Sequence, residues 1–86
     1  MKIINKNIEM IATFTRDGDI KPIRFRISEN DELVVLKIDR VVKKEKEKIC
    51  GENVFRFTCM LTVNNAERLC EIRYNTNSMI WTLWNI

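Results

Sequence analysis

The sequence predicts one all-β domain over residues 1–86, a small antiparallel barrel of five or six strands with at most one short helix. Three observations lead there. Apolar residues recur with period two along most of the chain, and the alternating runs are bounded by Gly, Asn or Asp, the pattern of half-buried antiparallel strands. With 86 residues, 45% of them hydrophobic and 31% charged, the chain can bury one core and is too short for two.

In the first run Ile8, Met10, Ala12 and Phe14 share a face against Glu9, Thr13 and Thr15, and the run ends at Asp17-Gly18. A type I′ turn there, with Asp17 and Gly18 as its two loop residues, sets Arg16 opposite Asp19. Met10 then faces Phe25 and Ala12 faces Ile23. Ile23, Phe25 and Ile27 point inward while Arg24 and Arg26 point out, and Pro22 stands near the strand start, where a missing donor is tolerated.

Glu29 to Glu32 form the next turn, and a long run follows from Leu33 to about Lys44 with Val34, Leu36, Ile38 and Val42 on one face. Arg40 interrupts that face. A β-bulge around Asp39 turns it outward, and the alternative is a buried or pocket arginine with a function. Lysine and glutamate alternate from Lys43 to Lys48, with Lys44, Lys46 and Lys48 on one face; this is an exposed strand end or a mobile loop, protected from edge pairing by its lysines.

After Gly51-Glu52-Asn53, Phe55, Phe57, Cys59, Leu61 and Val63 alternate inward against Arg56, Thr58 and Thr62. Asn64-Asn65 serves as a two-residue turn, because asparagine tolerates left-handed geometry. Phe57 then meets Ile72, Phe55 meets Tyr74 and Cys59 meets Cys70. A short helix over Ala66–Tyr74, capped by Asn65, is the rival. After the turn Asn75 to Ser78, Met79 to Ile86 form a last strand with Trp81 and Leu83 on one face and Ile80, Trp84 and Ile86 on the other. A strand apolar on both faces is central or covered by a partner.

The segments Lys21-Pro22-Ile23-Arg24-Phe25-Arg26-Ile27, Leu36-Lys37-Ile38-Asp39-Arg40-Val41 and Phe55-Arg56-Phe57-Thr58-Cys59, with Trp81, resemble a family of small proteins of low-GC Gram-positive bacteria. That family's pattern runs P-x-R-F-R, then I-D-R-V, then R-Y-T-C, and closes on a tryptophan. The resemblance implies a compact SH3-like barrel and no particular activity. The chain departs from the pattern at Ser28 to Glu32, which replace a tryptophan and glycine, and at Leu36, which replaces a tyrosine.

The chemistry is restricted. Histidine is absent, which removes the commonest general base, the commonest zinc ligand and the His-activated nucleophiles. The close carboxylate pairs, Asp17 with Asp19 and Asp31 with Glu32, belong to turns. No catalytic residue, metal ligand or cofactor motif is assigned, and an enzyme is not expected. Cys50, Cys59 and Cys70 form neither an even set nor a CxxC pair, so they are expected to be reduced, with Cys59 and Cys70 packed in the core. No apolar run is long enough to span a bilayer and the N-terminal residues lack a signal-peptide stretch, so no membrane association is expected and the expected compartment is the cytoplasm.

What remains is binding. The two-sided C-terminal strand, carrying Trp84, points to a protein partner or a homodimer. The alternative is DNA or RNA bound through an arginine-bearing sheet face of Arg24, Arg26, Arg56 and Arg73, with Arg40 as a further candidate, which a net charge of +3 permits without demonstrating. That alternative lacks exposed aromatics for base stacking, since Phe14, Phe25, Phe55, Phe57 and Tyr74 are all expected inward.

Overall fold

A computed structural model describes residues 3–86. Six strands, β1 (Ile3–Phe14), β2 (Ile20–Glu29), β3 (Glu32–Ile49), β4 (Glu52–Val63), β5 (Ala66–Asn75) and β6 (Ile80–Asn85), pair in chain order. β6 then pairs with β1, and the antiparallel barrel closes. No helix occurs among the described residues, so the rival helix over residues 66–74 gives way to strand β5. The architecture is compatible with an SH3-like barrel.

Two strands serve two sheets each. β1 pairs with β6 up to Ile8 and with β2 from Glu9 onward. β3 pairs with β2 up to Lys37 and with β4 from Ile38 onward. The barrel is thus a three-stranded sheet of β1, β2 and the first half of β3, folded over a larger sheet of the other half of β3 with β4, β5, β6 and the start of β1. Phe25, Phe57, Cys59, Leu61, Cys70, Ile72 and Leu83 are fully buried between them.

Asparagine and glycine chemistry sets the tight hairpins. Asn30-Asp31, Cys50-Gly51 and Asn64-Asn65 each place two successive residues at positive φ, the requirement of a type I′ turn. The register of β4 on β5 follows, with Phe55 opposite Tyr74, Phe57 opposite Ile72 and Cys59 opposite Cys70, as the sequence predicts.

The first hairpin departs from expectation twice, and the departures cancel. Only Gly18 takes positive φ, and the loop holds three residues, Arg16, Asp17 and Gly18, between Thr15 and Asp19. The Thr15 N–H donates to the Asp19 carbonyl at 2.9 Å, and the Thr15 hydroxyl accepts from the Asp19 N–H at 2.9 Å. Arg16 therefore does not face Asp19. This longer loop shifts the register by one, so Ala12 meets Pro22 and not Ile23. A bulge at Ile23 takes up the extra residue, and Met10 returns to Phe25. Pro22 is buried in the place expected for Ile23, whose side chain points out.

Two further inward assignments need correction. Phe14 keeps inward parity but lies at the barrel mouth, exposed, with its ring edge-on to Tyr74 at 6.1 Å. Bulges at both Asp39 and Val42 interrupt β3, which turns Arg40 outward as the bulge reading predicts and leaves Val42 exposed. The second bulge restores the original parity. Residues 43–48 are strand, not loop, and Lys44 and Lys46 sit opposite Phe57 and Phe55.

Candidate functional site

The outer face of the three-stranded sheet carries a surface that ordinary solvation does not account for. Its cross-strand rows run Glu9–Arg26–Val35 and Ile11–Arg24–Lys37, with Ser28 opposite Leu33 on one side and the bulged Ile23 on the other. Four aliphatic side chains there meet water: Ile11 (53% exposed), Ile23 (39%), Leu33 (62%) and Val35 (62%). A shallow trough of about 490 Å³ is walled by Ile11, Arg24, Arg26 and Val35, while Ile23 lines a neighbouring cleft with Arg40 and Lys44. Single exposed aliphatics are ordinary, but a contiguous set on one sheet face is the mark of an interaction surface.

The six residues singled out from the sequence do not form one face. Arg24 and Arg26 are exposed on the three-stranded sheet. Arg56 and Arg73 sit directly opposite each other on the outside of the larger sheet. Arg40 is exposed at the edge of a cleft between β2 and β3 that also involves Lys44. Trp84, on the outside of β6, is half-buried beneath the Arg73 guanidinium, 3.8 Å from the ring centroid.

Electrostatics separates the two arginine pairs. Arg56 lies between Glu45 and Glu47, with contacts of 3.3 Å to each, and Arg73 donates to Glu71 at 2.7 Å. Three carboxylates thus answer two opposed cations, whose side chains are only 29% and 22% exposed. On the three-stranded sheet Arg24 stands directly opposite Lys37, and neither has a carboxylate partner among the described residues. Glu9 is engaged by Arg26 through Nη2 at 2.6 Å and Nε at 2.8 Å. Like charges set directly across an antiparallel pair are destabilising.

The barrel mouth is the second concentration of features. Tyr74 and Trp81 pack at 4.6 Å and Phe57 and Trp81 at 5.7 Å, and Lys44 and Lys46 lie 5.1 Å and 5.8 Å from the centre of the Phe55 ring. Lys44 also pairs with Asp19 and holds its carboxyl below the usual carboxylate range. Internal partners thus engage these cations. Among the described residues no three His, Cys, Asp or Glu side chains come together as a metal site, and no helix is long and apolar enough to cross a membrane.

Sequence reasoning missed Ile11, Leu33, Val35 and Lys37. The signal was present in Leu33-Val34-Val35-Leu36, apolar on both faces, the same property that drew attention to β6. In β6 both edges are paired, Trp81 and Leu83 fill the core and Trp84 lies under Arg73, while Ile80 on the outer face stays exposed. In β3 the second apolar face meets solvent. Comparison with protein-family models, with curated proteins and with solved structures finds no match to this chain.

Proposed function

We propose that the barrel is a non-catalytic binding module that docks a protein partner on the outer face of its three-stranded sheet. One observation carries this reading: Ile11, Ile23, Leu33 and Val35 are exposed around Arg24 and Lys37, two cations without carboxylate partners among the described residues. Apolar contact supplies the association energy of most protein interfaces, and arginine is enriched in them. A cytoplasmic setting goes with this reading, supported by three free thiols.

Nucleic-acid binding through an arginine face has less support. Three of its four arginines are engaged by Glu9, Glu45, Glu47 and Glu71, and the aliphatics beside Arg24 and Arg26 offer no ring for a base to stack on. Homodimerisation by strand addition at β6 would need a free edge, and both β6 edges are hydrogen-bonded.

A photo-crosslinking side chain placed at Val35, compared with one at Thr58 on the outside of the larger sheet, tests the reading. The expected result is a defined protein adduct at position 35, lost when Ile11→Asp is added and absent at position 58. Equal adducts at both positions, or insensitivity to Ile11→Asp, would remove the assignment.

A further inference from the structure

We infer that the partner presents an acidic, aliphatic segment, and that it belongs to a different protein and not to a second copy of this chain; the inference rests on the docking face proposed above. The two arginine pairs make the argument. Arg56 and Arg73 show how this fold treats directly opposed cations, by placing Glu45, Glu47 and Glu71 around them. Arg24 and Lys37 have the same geometry without that treatment. Their own row holds no carboxylate, and Glu9, in the adjacent row, is engaged by Arg26 at 2.6 Å.

Carboxylates from outside complete the row. A guanidinium presents a planar fork that takes a carboxylate through two parallel hydrogen bonds, and Lys37 adds a second donor on the neighbouring strand. Ile11 flanks this pair on β1, and Val35 and Leu33 continue along β3, so acidic side chains on the segment must be interleaved with aliphatic ones. A second copy supplies the charge poorly, because a two-fold contact on this face sets the same cation-bearing patch against itself, and its one carboxylate, Glu9, is already engaged by Arg26. A nucleic acid or an anionic bilayer supplies negative charge, but the face has no aromatic side chain for base stacking or for anchoring at a headgroup boundary.

The test uses the whole chain and short probe peptides of alternating leucine and glutamate, leucine and lysine, and serine and glutamate. Oligothymidylate and phosphatidylserine vesicles are the non-protein arms. The leucine-glutamate peptide should bind, with affinity falling as salt rises. Lys37→Glu should weaken it about tenfold or more while raising the melting temperature by about 2–4 °C, because an opposed pair of like charges becomes an ion pair. That combination distinguishes a binding cation from a structural one, whose reversal would lower the melting temperature. Val35→Asp should weaken the peptide without the thermal gain.

Equal binding of the leucine-lysine peptide overturns the acidic assignment and leaves the docking face standing. Equal binding of the serine-glutamate peptide, or preferential binding of oligothymidylate or vesicles, overturns the aliphatic protein segment. Dimerisation abolished by Val35→Asp would identify a second copy as the occupant and overturn the inference. Binding of every peptide unaffected by Val35→Asp removes the docking face itself.

Discussion

Cys59 and Cys70 stand directly opposite each other on β4 and β5 with no exposed surface, whereas Cys50 is exposed in the turn between β3 and β4. The adjacent Cys59 thiol and burial push the Cys70 thiol far above its ordinary range. The Cys70 thiolate is therefore disfavoured in the folded state, and because Cys59 and Cys70 are both fully buried, labelling should be fast at Cys50 and slow at the other two until the chain unfolds. The sign of the pH dependence follows: stability is intact below the thiol pKa of the unfolded chain, about 8.5, and falls as pH rises above it, because the unfolded state then releases a proton the folded state retains. Urea titrations across that range should show the decline, and Cys70→Ser should reduce it. Met79 supplies a second test at this scale. It is exposed and carries φ of 63°, a conformation that costs a side chain with a Cβ more than it costs glycine. Met79→Gly should stabilise the fold by about 0.5 kcal/mol, read from the denaturation midpoint.

At the scale of elements, bulges decide which way side chains point. Asp39 and Val42 are the extra residues in β3, and the stretch between them reverses parity, which sends Arg40 outward and sets Val41 opposite Cys59. Two bulges return Lys44 and Lys46 to the inner parity, so the alternation read from residues 43–48 survives. Past Lys37 β3 has no partner on its β2 side. That edge is protected by charge. Two copies pairing there by an antiparallel two-fold would bring residues of the same face together, lysine against lysine and glutamate against glutamate. Replacing Lys46 and Lys48 by threonine should produce concentration-dependent association in sedimentation velocity; a strictly monomeric variant would show that the lysines are not the protection. The Asn64-Asn65 turn yields a milder prediction: Asn65→Gly should add a few tenths of a kcal/mol, since glycine adopts positive φ at less cost than asparagine.

The whole molecule is closed by contact between its first and last strands, with Ile8 opposite Trp81 and Lys6 opposite Leu83. Leu83→Ala should therefore cost about 2–5 kcal/mol, a large part of the roughly 5–15 kcal/mol by which domains of this kind are stable, and should leave much of the chain unfolded by circular dichroism at moderate denaturant. The sequence by itself determined the strand character of nearly every segment, the Asn64-Asn65 turn and the register of β4 on β5, because period-two alternation and asparagine's left-handed tolerance are local properties. It also determined that Arg24 and Arg26 point outward, even though the loop and the bulge that bring this about offset each other unseen. Only the tertiary structure decided that Pro22 and not Ile23 enters the core, because a three-residue loop and a bulge leave the same register beyond them as a two-residue loop and none. Only the tertiary structure decided which arginines are neutralised. Glu45 and Glu47 reach Arg56 because two bulges and a type I′ turn set the register of β3 on β4, and Arg24 meets Lys37 because β2 and β3 pair in that register before they diverge. A charge in sequence has no partner until the strands are laid side by side.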